Sequence, residues 1–133
     1  MFDIQVIRLA SNTKNYGLTK TSTHKASSKN KLCGDKITVE LNADKTKIKN
    51  MRYETESCVY CQASASILSN IISSFRINRM KSDFAQIEEF FLTKDKKLPK
   101  KYKEFKILMK KKNKDRHNCI MLPLHAVQKA LKI

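Results

Sequence analysis

Cys33-Gly34-Asp35, Cys58 and Cys119 hold the side chains of this chain best suited to chemistry. Together they offer three thiolates and one carboxylate, a ligand set suited to zinc or to iron held with sulfide. Asp35 lies two residues beyond Cys33. In an extended segment both side chains project to the same side, and Gly34 permits close approach. A carboxylate so near a thiolate repels it unless a cation relieves the repulsion, which favours a metal. A mixed oxygen–sulfur site also exchanges its cargo more readily than four thiolates would. Cys58 and Cys119 each stand where a helix is expected to begin, and the positive end of a helix stabilises a thiolate.

Other readings of these cysteines stay open on spacing alone, because cysteine is often a small buried hydrophobe. Cys58 and Cys61 form a CxxC, but a zinc ribbon needs a second such pair and the chain has none. A thioredoxin-type pair needs a βαβ context, whereas the neighbouring strands read as a hairpin. Cys61, one helical turn after Cys58, is open to three roles: spare ligand, resolving thiol or core residue. Of the three histidines, His117 is the best placed to reach the site; His24 falls in a polar loop and His125 off the Cys119 face. The chain has no catalytic triad, carboxylate pair or phosphate-cradling loop, and its two glycines exclude most nucleotide motifs. It does not read as a self-sufficient enzyme.

The 133 residues are enough for one domain, 1–133, and its 41% hydrophobic content fits a globular core. No apolar run approaches a membrane span, no signal-peptide core is visible, and cysteine usage fits a reducing compartment, so the expected location is the cytoplasm. The net charge of +16 is uneven. Residues 1–32 carry +5, residues 33–93 are neutral and residues 94–133 carry +11. The charge therefore flanks the segment with three of the four cysteines. It reads first as a solvated surface and second as a docking face for an acidic partner. A zinc-stabilised basic nucleic-acid-binding domain is the alternative, resting on the eleven lysines of 94–114. Only Tyr102 and Phe105 interleave with them, too few for a stacking platform, so nucleic acid is the weaker reading.

The elements that must position the site follow from periodicity. Residues 1–16 form a short helix near Asp3–Ala10 and a polar lead-in. Ile37, Val39 and Leu41 alternate with polar residues as a strand does, residues 42–45 turn, and 48–55 return. Ile48 is out of phase with Met51 and Tyr53, which predicts a bulge or register offset. A weaker third strand falls in 21–32. Helices are expected from Cys58, with the small run Ala63-Ser64-Ala65-Ser66 allowing close approach, then over 82–92, 100–112, and from Cys119 onward with Pro123 in the first turn. The fold class is α+β: a small antiparallel sheet of about three strands with helices on one side.

Three blocks, in order, resemble the NifU/SufU-like iron–sulfur cluster assembly proteins, a family related to IscU. Asn30-Lys31-Leu32-Cys33-Gly34-Asp35 is similar to the family's Asn-Pro-x-Cys-Gly-Asp. Tyr53 to Ala65 is similar to its Phe-x-Gly-x-Gly-Cys with a Ser/Ala-rich helix, with Thr55 and Ser57 at the glycine positions. Arg116-His117-Asn118-Cys119-Ile120-Met121-Leu122, with His125-Ala126 and Lys129-Ala130-Leu131, is similar to its closing Arg-x-x-Cys-x-x-Leu helix. The 61-residue interval from Cys58 to Cys119, and Asn118 where the shorter branch has His, favour the SufU-type branch. The resemblance implies a SufU/IscU-like fold and metal ligands Cys33, Asp35, Cys58 and Cys119. It implies Cys33 as sulfur acceptor and Arg116 behind the ligands or facing a partner; His117 and Cys61, read from their positions, are further candidates for those places. The implied cargo is zinc or a transient 2Fe–2S cluster. The implied partners are a pyridoxal-phosphate cysteine desulfurase and downstream cluster carriers or apo-proteins. Cluster scaffolding and zinc-dependent sulfur transfer both stay open.

Overall fold

Ile37, Val39 and Leu41 are fully buried and make the apolar face of a central strand. In the computed structural model, which describes residues 3–32, 34–94 and 97–133, that strand is β2 (Lys36–Ala43). It pairs antiparallel with β1 (His24–Lys29) and β3 (Ile48–Glu56), in the order β1-β2-β3. Val39 lies opposite Ala26 and Tyr53, and Leu41 opposite His24 and Met51, so the apolar positions share one face. The register shifts between Asn42 and Ala43, the irregularity that the out-of-phase Ile48 predicts.

Four α-helices follow in the described residues: α1 (Ile4–Ala10), α2 (Val59–Ile71), α3 (Ile77–Thr93) and α4 (His117–Leu131). α4 crosses β1 and β2, α2 packs on β3 and α4, and α1 packs on α2. The expected α+β architecture is therefore present, with the helices on the apolar side of the sheet. The small run of α2 makes the α2–α4 contact possible. Ala63, Ser64, Ala65 and Ser66 are all buried, and Ser64 Oγ donates to the Ile120 carbonyl at 2.6 Å.

Three elements differ from the pattern-based expectation. α3 begins at Ile77 rather than Ser82, because buried Met80 extends the stripe of Phe84, Ile87 and Phe91. No side chain caps this helix; the Ile77 amide instead donates to the Thr46 carbonyl in the β2–β3 turn, at 2.9 Å. Residues 100–107 and 111–116 are 3-10 turns rather than one α-helix, and Tyr102 leaves helical geometry at φ −103°, ψ 15°. Their anchors Tyr102, Phe105, Leu108 and Met109 are buried while the described lysines stay exposed, as a solvated face requires. α4 begins at His117, so Cys119 sits inside the first turn and Pro123 lies in the helix interior. Pro123 offers no N–H to the Cys119 carbonyl four residues back.

The outer face of the sheet holds one buried acid. Glu40 is 2% exposed, and its carboxylate accepts the Thr19 and Lys20 amides at 2.7 and 2.9 Å. Burial raises its pKa, but these backbone donors and the Thr19 hydroxyl outweigh burial and hold it below the ordinary 4.5. The latch stabilises the fold fully above that ordinary value and is lost as pH falls through the lower folded-state value. We expect Glu40→Gln to lower the melting temperature at pH 7, and the gap from wild type to narrow in scans taken progressively below pH 4.5. Parallel melting curves at every pH would contradict the latch. Ser64→Leu should destabilise by about 1–3 kcal/mol in urea denaturation through overpacking, whereas Ser64→Ala should cost about 1 kcal/mol.

Candidate metal centre

The segment 30–35 is a tight loop organised by Asn30. The Asn30 amide donates to the Asp35 carbonyl at 2.7 Å, and the Gly34 amide donates back to the Asn30 carbonyl at 2.8 Å. Asn30 Oδ1 accepts the Leu32 amide at 3.1 Å, an Asx-type turn. Gly34 has φ +74°, a left-handed conformation that a side chain would strain. Cys33, at the tip of this loop in sequence, lies outside the described residues.

The loop delivers Asp35 to the start of α2. Asp35 is 5% exposed; its Oδ1 accepts the Cys58 amide at 3.1 Å, and its Oδ2 lies 3.5 Å from Cys58 Sγ, the thiol donating. Cys58 is the N-cap of α2 but makes no side-chain cap bond, so Asp35 caps the helix in its place. Thr55 and Ser57, at the positions where glycines are usual, do not adopt positive φ. The approach to Cys58 is therefore made without backbone strain. α4 enters from the other side and carries buried Cys119, whose Sγ lies 3.9 Å from Asn30 Nδ2. Asn30 thus reaches both the loop and a thiol. The sequence marks Asn30 as the first residue of the Asn30-to-Asp35 block but does not show these bonds.

Ligand atoms of Asp35, Cys58 and Cys119 all lie within 4.8 Å of one another. Three segments far apart in sequence therefore converge on one point, with two helix N-termini beside it. The donor set fits zinc or iron. A tetrahedral zinc–thiolate site holds its ligand atoms about 3.8 Å apart, so a small contraction around an ion suffices. With Cys58 ionised, the Asp35 carboxylate would face a second anion at close range, and a cation removes that repulsion.

The flanking residues take different places. Cys61 is fully buried, and burial pushes its thiol up to about 12; the Ser57 and Thr55 hydroxyls lower it less, and neighbouring Asp35 and Cys58 raise it. It packs in the core and is not part of the group above. His117 turns toward α3: its Nε2 lies 3.1 Å from Glu88 Oε2, an ion-pair contact off the hydrogen-bonding direction, and its ring meets Phe91 edge-on at 5.4 Å. Arg116 is exposed, with its guanidinium 5.6 Å from the Tyr60 ring on the first turn of α2, close to Cys58 in sequence.

No curated protein matches the chain. A NifU-like protein (N-terminal) from Brucella abortus superposes with a TM-score of 0.84 at 19% identity, covering 98% of this chain and 91% of that one. A putative iron–sulfur cluster assembly scaffold protein for the SUF system from Fervidobacterium islandicum AW-1 gives 0.85 at 20% identity, covering 98% and 96%. Both establish the fold. The model of the family described as NifU-like N terminal domain matches residues 1–133. With an ordered Cys/Asp motif, this fold and a converged Asp–Cys–Cys group, the chain belongs to the NifU-like N-terminal domain family of iron–sulfur cluster assembly scaffolds.

Proposed function

We propose that this protein accepts sulfur from a pyridoxal-phosphate cysteine desulfurase at Cys33 and either relays it or builds a 2Fe–2S cluster on Cys33, Cys58 and Cys119. The observation that carries the reading is the convergence of Asp35, Cys58 and Cys119 from three separate segments. Cys33, two residues before Asp35, is the remaining thiol of the motif. In the transfer step the Cys33 thiolate attacks the outer sulfur of the desulfurase persulfide. That S–S bond breaks, a new one forms on Cys33, and the desulfurase cysteine leaves as a thiolate. Zinc, when bound by Asp35, Cys58, Cys119 and Cys33, would hold the thiols deprotonated at neutral pH.

The chain's own residues support that chemistry. Asp35 is already fixed by the Cys58 amide, so one oxygen stays on the protein while the other faces the thiols. Asn30 donates toward Cys119 Sγ, an interaction that strengthens as the sulfur gains negative charge. Arg116, exposed beside Tyr60, suits contact with an acidic partner surface. Downstream cluster carriers or apo-proteins would receive the cargo, and a reducing cytoplasm would keep the thiols competent. The SufU-type branch remains our assignment, from the Cys58–Cys119 interval. The basic nucleic-acid reading is weakened, because Tyr102 and Phe105 are fully buried and cannot stack on bases.

Metal and acid-labile sulfide measured after anaerobic purification test the reading. We expect about one zinc per chain without sulfide, or iron with matching sulfide; well-folded protein holding neither, even after reconstitution, would overturn it. Cys33→Ser should abolish ³⁵S transfer from a desulfurase while leaving the circular dichroism spectrum unchanged, and retained transfer would remove Cys33 from its role. Cys61 gives a separate check. In metal-free protein at pH 8, iodoacetamide should label Cys58 and spare Cys61 in peptide mapping, and Cys61→Ala should retain the metal. Metal loss in Cys61→Ala would make Cys61 a ligand instead.

A further inference from the structure

At the end of the sheet away from the Cys/Asp group lies a cavity of about 580 Å³. β3 runs from this end toward Cys58, and α2 runs back again. The two sites are therefore separated by about 20 Å, the length of α2 at 1.5 Å per residue. The cavity draws on three separate parts of the chain: Lys47 after the β2–β3 turn, Arg76 and Arg79 at the start of α3, and Lys100 and Lys101 at the start of the first 3-10 turn. These five cations share the wall with one carboxylate, Asp83. Among the described residues none of the six makes an ion pair, so the positive charge is not neutralised from within.

Two further observations point to a ligand. α3 has neither a capping side chain nor an acid in its first turn, so its positive end adds to the field in the cavity. Tyr102 lines the cavity, is 0% exposed, and its hydroxyl has no hydrogen-bond partner among the described residues. A buried hydroxyl without a partner is costly, and a bound acceptor would satisfy it. The Tyr102 ring is fixed by stacking on Phe75, with centroids 4.3 Å apart, and Lys101 is held beside the same ring at 5.5 Å. The Tyr102 ring is thus fixed at the cavity, and exposed cations from three segments converge around it. The volume suits a small molecule.

We propose that this cavity is a binding site for a small organic phosphate, with the phosphate held by Arg76, Arg79 and the Tyr102 hydroxyl. Lys47, Lys100 and Lys101 neutralise its remaining charge, and Asp83 accepts a hydroxyl or amine of the ligand body. Guanidinium groups pair with phosphate oxygens two at a time, and five cations against one carboxylate match the double charge of a phosphate better than the single charge of a carboxylate. The site would operate independently of the metal centre.

Isothermal titration calorimetry of the full chain with ADP, and with inorganic pyrophosphate as the phosphate-only probe, tests this. Saturable one-site binding is expected in buffer of ~150 mM ionic strength, where weak surface attraction is screened. Arg76→Ala/Arg79→Ala should weaken it by about tenfold or more. Tyr102→Phe keeps the aromatic stack, removes only the hydroxyl, and should weaken binding by about threefold or more. Lys103→Ala/Lys106→Ala removes the same charge from the exposed side of the same segment and should change affinity by less than about twofold. Metal-free and zinc-loaded protein should bind alike, so failure here would not implicate the Cys/Asp site. Three results would overturn the proposal: no saturable binding of either probe, equal losses in the two double variants, or tighter binding of a single-stranded RNA with steep salt dependence.

Discussion

Ser64 Oγ reaches the Ile120 carbonyl at 2.6 Å because α2 presents only small side chains where α4 crosses it. Much of the candidate centre depends on this close crossing. Both helices begin beside the same point, α2 at Cys58 and α4 two residues before Cys119. Their separation fixes the distance between the two thiols. A larger side chain on that face would move one helix end relative to the other and open the group that includes Asp35.

The helices alone would bring two thiols together without a carboxylate. The third element is the loop 30–35, closed by backbone bonds between Asn30 and both Asp35 and Gly34. Asp35 serves two ends at once: one oxygen accepts the Cys58 amide and the other faces the Cys58 thiol. Capping the helix and orienting the carboxylate toward the thiol are thus the same interaction. A carboxylate that holds the helix start is already oriented before any ion arrives, which lowers the conformational entropy lost on binding. The buried Cys61, one turn on, shows the contrast: burial outweighs the Ser57 and Thr55 hydroxyls and keeps the thiol protonated.

The basic character divides into two kinds. All the described lysines of 94–114 are exposed, while Leu98, Tyr102, Phe105, Leu108 and Met109 pin the segment to the core. That pattern supports solubility and an acidic partner surface better than base stacking. At the far end of the sheet, lysines and arginines from three segments instead converge on a single cavity. Linear charge density did not distinguish these cases, because it carries no information on which side chains share a wall.

The sequence by itself determined the sheet, the first and last helices and the candidate ligand set. Period-2 alternation at 37–41 and the Asn30-to-Asp35, Cys58 and Cys119 motifs are local patterns, readable without contacts. It also carried the register irregularity, since Ile48 stands out of phase. What only the tertiary structure decided was set by long-range contacts. α3 starts early because the Thr46 carbonyl takes the Ile77 amide in place of a capping side chain. Residues 100–107 and 111–116 are 3-10, and along the first of these turns buried Tyr102, Phe105 and Leu108 recur every third residue, the period of a 3-10 helix. His117 faces Glu88 rather than the thiols, since α4 begins at His117, two residues before Cys119, and turns that side chain toward α3. The bonds that Asn30 makes, and the Arg76–Arg79–Tyr102 cavity, were not legible there. Each depends on side chains from segments far apart in the chain, and only packing brings such groups within bonding distance.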